Sequence, residues 1–331
     1  MSSDDDNPLI SVAMPVRNGD NFVASAVASV VAQTYGNWEL VVSDNESSDE
    51  TPSILADYAR RDSRIRICRT PLIPVVENFN RAGELSRGRW VVFLCHDDVF
   101  RPHALQRLVD TLHRYRADRL ALLSYGVEYE FENGYVTPPI AAATDQYFDG
   151  QSFLRVALGG RVPSPLPGMS QACVRTDVWR SLGRFDLRYQ HCDTFLWYRL
   201  LLEHDMAVVP DSLVCIRIHS RQGSATIRRE SQSIREYEQF FGEFVRENGK
   251  SLDLSPLTRL VAPARYLSVA ATEIVLHLLK CDFDRALRIV GQVPVVWHSL
   301  LVPLCVRNLR SELRRTRELR RHVPVSLIYP S

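Results

Sequence analysis

LISVAMPVRNGDNFVASAVASVVAQTYGNWELVV, residues 9–42, changes its apolar period twice. Residues 9–14 read as a buried strand, and apolar residues then recur at Phe22, Val23, Ala26, Val27 and Val30, the spacing of one helix face. Residues 38–42 read as a strand again, which completes a βαβ unit. The alternation continues outward with a helix over about 52–61, a strand over 65–68, a helix over 77–85, a strand over 90–94, a helix over 102–115 and a strand over 120–125. Strands alternating with helices predict a parallel sheet, because each crossover returns the chain to the same edge. The ligand site of such a sheet lies at the C-terminal ends of its strands.

Past Val127 the pattern degrades. Glu132-Asn133-Gly134 reads as a hairpin turn, and residues 159–168 hold three prolines among three glycines, which predicts a shaped loop forming the second half of a pocket. Residues 171–175, 193–204, 206–209 and 213–218 read as strand, helix, strand and strand, and the chain turns helical from about Arg229. No period of about 20–50 residues repeats, so solenoids and propellers drop out.

Composition sets the class. The chain has 331 residues, 45% hydrophobic and 24% charged, enough apolar content for a sizeable core, and disorder is excluded as its main state. Forty basic against 39 acidic residues leave +1, so no global attraction to nucleic acid is expected. Seven cysteines, an odd number without a CxxC pair, fit reduced thiols in the cytoplasm. The opening MSSDDDNP is acidic where a signal peptide would be basic and then apolar, so export is not expected.

Two carboxylate groups stand where a pocket should be. Asp44, in WELVVSDNESSDET, follows the second strand. Its carboxylate can accept the N3 hydrogen of uracil or thymine, or cap its own turn-rich loop. In WVVFLCHDDVF, Asp97 and Asp98 emerge at the same edge. Adjacent carboxylates repel unless a cation is present, and hard oxygen ligands suit Mg²⁺ or Mn²⁺ with a substrate diphosphate completing the shell. The alternative is a solvated pair capping the helix that begins near Pro102.

At this point the sequence resembles a known family. SVAMPVRNG (11–19) is similar to its P-x-Y-N opening and VVSDNESSDET (41–51) to its V-D-D-G-S-T-D-G-T segment. FNRAGELSRGRWVVFLCHDDV (79–99) is similar to its N-x-A…A-R-G-E-Y…D-x-D-D run. LGRFDLRYQHCDTFLWYRL (182–200) and VCIRIHSRQGS (214–224) are similar to its G-G-F-D-E…E-D-x-D-L-W-L-R and R-x-H-x-x-S pieces. In that order, over about residues 8–225, these stretches resemble the inverting glycosyltransferases of family 2.

The resemblance implies an α/β, GT-A, Rossmann-like nucleotide-diphospho-sugar transferase fold with a mostly parallel central sheet and a helical C-terminal extension. The catalytic domain would span 8–228, with a donor half over about 8–125 and an acceptor half over about 126–228, and residues 229–331 would form the helical region. Pro15, Arg17, Asn18, Asp44, Asn80, Arg87 and Asp97 would hold the nucleotide-sugar, with Asp44 on the base. Asp98 and His219 would serve the Mn²⁺ or Mg²⁺ on the donor diphosphate, and Asp193 would be the catalytic base. Read from the residues alone, Asp193 could equally start the helix 194–204, and His219 could be a polar residue ending a strand. Trp197, four residues after Asp193 on the same helical face, is expected to pack beneath the site.

Three departures from the family pattern bear on this. Arg17 replaces a tyrosine and can stack on a base or reach a phosphate. Cys95 replaces the first acid of D-x-D-D. Cys192 replaces the glutamate before the base, which predicts less repulsion on Asp193 and a weaker base.

The expected activity is therefore metal-dependent, inverting transfer from a UDP- or dTDP-linked sugar to a glycan or lipid-linked hydroxyl, in surface polysaccharide, lipid-linked glycan or glycolipid assembly. A catalytically silent nucleotide- or glycan-binding scaffold is the first rival. The second, a nucleotidyltransferase, needs a Gly-rich basic phosphate loop where only Arg17 and Gly19 stand. In the tail, residues 289–306 carry no charge but include Pro294 and Pro303, short of the roughly 20 apolar residues of a spanning helix. Between 307 and 321, seven arginines against two glutamates leave +5. Such a segment can lie on the anionic inner face of a membrane, or pack as a solvated helix.

Overall fold

β1 (Ile10–Val16) and β2 (Trp38–Asn45) are buried along their whole length, as central strands covered on both faces must be. The computed structural model describes residues 6–158, 166–219 and 232–261. Contacts divide the chain into two units, the first comprising Met1–Glu130, Val136–Phe153 and Ser164–Arg217, the second Phe131–Tyr135, Leu154–Pro163 and Ile218–Ser331.

The helices that fall wholly or partly in the first unit are α1 (Val23–Val31), α2 (Thr51–Arg61), α3 (Val75–Leu85), α4 (Ala104–Tyr115), α5 (Gly150–Leu158), α6 (Thr176–Ser181) and α7 (Cys192–Leu200). The remaining strands are β3 (Ile65–Thr70), β4 (Trp90–Phe93), β5 (Val99–Phe100), β6 (Leu120–Phe131), β7 (Gln146–Phe148), β8 (Ala172–Arg175) and β9 (Asp205–Ile218). The described residues form one sheet in the order β3-β2-β1-β4-β8-β6-β9-β5, with β7 also on β9.

One face is aliphatic. Ile10, Val12, Met14 and Val16 of β1 pack with Val23, Ala26, Val27 and Val30 of α1 and with Leu105, Leu108 and Val109 of α4. Each of these side chains larger than alanine contributes about 1.5–3 kcal/mol through burial. The other face is aromatic. Phe93 of β4 meets Phe185 at 4.8 Å and Trp179 at 5.6 Å between ring centroids, and Phe185 meets Trp197 at 6.0 Å. α3 fits here because Gly83 has no side chain: a Cβ there would lie 2.6 Å from the Trp179 ring.

The parallel order holds for β3-β2-β1-β4. Beyond it the sheet is mixed, because β8 inserts antiparallel to both β4 and β6. The two strands expected at 206–209 and 213–218 are one strand, β9. Its partners change along its length, β7 pairing with 206–208 and β5 with 214–215, on either side of Pro210. The expected hairpin turn is present, with Gly134 at φ 80° donating its N–H to the Phe131 carbonyl at 2.8 Å.

In the second unit, α8 (Gln232–Asn248) and α9 (Pro256–Val261) are helical. Phe240 stacks on Phe244 at 5.4 Å, and Arg259 Nε donates to the Gly249 carbonyl at 3.1 Å. The uncharged stretch 289–306 and the arginines of 307–321 lie outside the described residues. Among the described residues no helix is long and apolar enough to cross a membrane.

Candidate active site

The loops after β1 and β2 leave the sheet at one edge, since Val16 pairs with Asp44 in parallel register. They are tied to each other. Asn18 N–H donates to Ser47 Oγ and Ser48 N–H to Asn18 Oδ1, both at 2.9 Å, while Gly19 N–H donates to Thr51 Oγ1 at 2.8 Å. Asn18 sits at φ 48° and Glu46 at φ 55°, left-handed conformations that asparagine tolerates better than glutamate. Asp44 is buried at this edge. Its Oδ1 accepts the Ser47 N–H at 3.1 Å, and Oδ2 lies 3.8 Å from Arg69 Nε, so one oxygen caps the loop and the other faces a cation.

The turn after β4 packs on the first loop, because a Cβ on Gly19 would stand 2.5 Å from the His96 ring. Asp98 N–H closes that turn on the Cys95 carbonyl at 3.0 Å. Ligand atoms of Cys95, Asp97 and Asp98 lie within 4.8 Å of one another. Burial, and then the neighbouring charge of Asp97, push the Asp98 carboxyl up to about 8. Two buried acids so placed repel each other, the charge of Arg217 offsets this only in part, and one carboxyl answers by holding its proton. The donor set fits a divalent metal.

Two further residues organise this turn. Ser170, in the 3₁₀ turn Met169–Gln171, accepts the Cys95 N–H at 3.1 Å and hydrogen-bonds Asp98. Arg217 of β9 donates its backbone N–H to Asp98 Oδ1 at 3.2 Å and its Nε to the Asp97 carbonyl. Its guanidinium continues to Ser25 Oγ at 2.7 Å and the Phe22 carbonyl at 3.3 Å, joining β9 to the start of α1. Sequence reasoning assigned neither residue a role. Ser170 lies at the end of the Pro/Gly loop, and Arg217 stands in the quoted VCIRIHSRQGS.

Asp193 is the half-buried second residue of α7, accepting the Thr194 N–H at 2.7 Å and the Met169 N–H. Burial raises its carboxyl to about 6 despite those bonds and despite Cys192 beside it. The Cys95 thiol is pushed up by burial and then by the charges of Asp98, Asp97 and Asp193, so these four groups share one field. Trp197 is buried below, its Nε1 donating to the Pro167 carbonyl at 3.0 Å.

The other expected residues divide. Pro15 is buried in β1 opposite Ser43, and Arg17 is exposed at the rim. Asn80 is buried in α3, where its amide exchanges two bonds with Phe185, donating to the carbonyl at 2.8 Å and accepting the N–H at 3.0 Å. Arg87 lies before β4, at the opposite end of the sheet, where its N–H donates to Glu39 Oε1 at 2.5 Å. His219 is buried directly after β9, two residues beyond Arg217.

Comparison with known proteins gives a consistent picture. The model of Glycosyl transferase family 2 matches residues 11–162. WfgD of Escherichia coli, a UDP-Glc:alpha-D-GlcNAc-diphosphoundecaprenol beta-1,3-glucosyltransferase, is 24% identical over 267 residues, covering 80% of this chain and 94% of its own. The crystal structure of S. aureus TarS 1–349 with UDP-GlcNAc superposes with a TM-score of 0.55 at 17% identity, over 85% of this chain and 90% of that one. The mannosyltransferase PcManGT of Pyrobaculum calidifontis, in complex with GDP-Man and Mn²⁺, gives 0.52 at 17% identity, over 92% and 87%. Both structures share the mixed α/β fold around a central sheet.

Proposed function

Because this chain belongs to glycosyltransferase family 2 and is a glycosyltransferase, we propose that it is a metal-dependent inverting enzyme that moves a sugar from a UDP- or dTDP-linked donor to a hydroxyl acceptor. Residues 8–228 serve as the catalytic domain and 229–331 as a helical extension. The observation that carries the reading is the gathering of Asp97, Asp98 and Asp193 around Cys95, at the sheet edge where Asp44 also emerges.

Asp44 receives the base, with Arg17, Asn18 and Pro15 lining the same edge, and Asp97 supports the diphosphate side. Asp98 holds Mn²⁺ or Mg²⁺, with His219 as the further ligand that the family resemblance implies. When bound, a divalent cation screens the diphosphate and stabilises the charge that develops on the leaving group. Asp193 takes the proton of the acceptor hydroxyl as the new bond forms, a contribution of about 10²- to 10⁴-fold. Burial suits it to this work, since a carboxyl near 6 is a stronger base than an ordinary aspartate and is still ionised at neutral pH. Attack on the face opposite the leaving nucleotide inverts the anomeric centre.

WfgD acts, by its name, on a diphosphoundecaprenol-linked sugar, which favours a lipid-linked acceptor here. The arginines of 307–321, set after an uncharged stretch, suit peripheral association with the anionic inner face of the membrane from the cytoplasm. Thermal stabilisation by UDP, dTDP, GDP and CDP, each with and without Mn²⁺, tests base and metal together. Stabilisation by UDP or dTDP that needs Mn²⁺ is expected, and a purine nucleotide acting alone would overturn the donor assignment. Donor hydrolysis above background separates the enzyme from a silent scaffold.

A further inference from the structure

Cys95 stands where β4 hands the chain to the acidic turn, and main-chain bonds fix it there. Leu94 N–H donates to the Ala13 carbonyl at 3.1 Å, Cys95 N–H donates to Ser170 Oγ at 3.1 Å, and the Cys95 carbonyl accepts the Asp98 N–H at 3.0 Å. The Ser170 side chain also hydrogen-bonds both the Cys95 thiol and the Asp98 carboxyl, so one residue sets sulfur and carboxylate side by side. Sγ of Cys95 and an oxygen each of Asp97 and Asp98 lie within 4.8 Å of one another. Among the described residues, no other three histidine, cysteine or acidic side chains converge in this way.

The cysteine is not there to fill a core. Cys173, Cys192 and Cys215 are buried, as cysteines packed like small apolar side chains are, whereas Cys95 is half-buried beside the carboxylates. The charges of Asp98 and Asp97 reach its thiol, which places the sulfur in the field that a cation would enter. A thiol also suits this position before a cation arrives, because it adds no charge to an acidic pair that a third carboxylate would repel further.

We propose that Cys95 Sγ is a cation ligand alongside Asp98, and that it moves the metal preference of this site away from Mg²⁺ and toward thiophilic divalent ions. The inference rests on the donor-site reading given above. Mg²⁺ is a hard ion that takes oxygen ligands and keeps several waters, whereas a sulfur ligand favours softer ions such as Zn²⁺ and Cd²⁺. Mn²⁺ stands between, held by the carboxylate with little gain from sulfur. Ligation exchanges the thiol proton for the cation, and the proton leaves to solvent.

The test is titration of the full chain with Cd²⁺ in the presence of UDP, followed by the sulfur-to-metal absorption band and by melting. Zn²⁺ outranks Mg²⁺ at many sites, so the change on substitution is the measure rather than the order alone. Cys95→Ser should remove one sulfur's share of the band and weaken the Cd²⁺ response by about tenfold or more, since even residues that only support a ligand are worth that much. Cys95→Asp should lose the same share of the band and raise the Mg²⁺ response relative to Cd²⁺. Mn²⁺ with UDP should stabilise all three proteins, because Asp98 is kept. The main-chain bonds of Cys95 survive both substitutions, and the two variants alter charge differently, so a folding defect in one leaves the other to read. An equal band in wild type and variants, or a Cd²⁺ to Mg²⁺ ratio that neither substitution changes, overturns the sulfur ligand; a Mn²⁺ response kept with UDP then leaves the donor site standing. A wild type that responds to no cation overturns both.

Discussion

Arg217 donates its main-chain N–H to Asp98 Oδ1 at 3.2 Å while its guanidinium bonds the carbonyl of Asp97, so one residue of β9 grips both members of the acidic pair. The same side chain reaches Ser25 and Phe22 at the start of α1. Arg217→Ala removes the guanidinium bonds and leaves carbonyls without their donor. We expect a loss of about 2–3 kcal/mol in urea unfolding, together with weaker Mn²⁺-dependent stabilisation by UDP. Arg217→Lys should recover part of the stability but not the nucleotide response, because an ammonium cannot span the same acceptors. Unchanged nucleotide stabilisation in both variants would show that Arg217 only braces the fold.

Metal-free stability should depend on pH through Asp98. Its carboxyl is raised from the ordinary 3.8 to about 8, so the folded state binds the proton more tightly than the unfolded state does. The contribution is fully present below the unfolded value and is lost as pH rises through about 8. Melting in EDTA should therefore fall across this window, and Asp98→Asn should flatten the fall while abolishing stabilisation by Mn²⁺ with UDP. A wild-type curve as flat as that of Asp98→Asn would show that the acidic pair carries no such strain.

Asp193→Asn keeps the shape of the side chain and its place in the first turn of α7 but cannot take a proton. We expect UDP binding within a few-fold of wild type and a turnover lower by about two orders of magnitude or more. With the carboxyl near 6, kcat/KM of the wild type should climb with pH up to about that value and then level. A turnover within a few-fold of wild type, or a pH profile unchanged by the substitution, would assign the base elsewhere.

What the sequence made legible follows from how each feature is encoded. β1, β2 and β4 are buried on both faces and read as short, mostly apolar segments between turn residues, a local pattern. The insertion of β8 between β4 and β6 is a non-local pairing that no window of residues contains. The carboxylates stand out in the sequence because the proposed chemistry uses those side chains in those segments. Ser170 works partly by accepting a main-chain N–H and Arg217 partly by donating one, and neither use leaves a periodic signal. Asn80 and Arg87 stand in a motif that serves folding as well as chemistry, and their hydrogen bonds go to Phe185 and Glu39.

Asn80 allows those two uses to be separated. Its amide is buried and fully engaged with the main chain of Phe185, whose ring joins the Phe93, Trp179 and Trp197 cluster beneath α7. Asn80→Ala leaves a buried N–H and a buried carbonyl without partners, a cost of about 2–4 kcal/mol. The loosened segment leads into α7 and Asp193, so turnover should fall with stability while the KM for the donor stays within about twofold of wild type. Asn80→Asp keeps the acceptor for the Phe185 N–H but sets a second acceptor against the Phe185 carbonyl, so it should lie between the two in melting temperature only at acid pH, where the carboxyl is protonated and can donate. The measurements are urea unfolding and donor-saturation kinetics on the same preparations. A donor KM that rises by tenfold or more while stability is kept would instead put Asn80 in contact with the nucleotide-sugar.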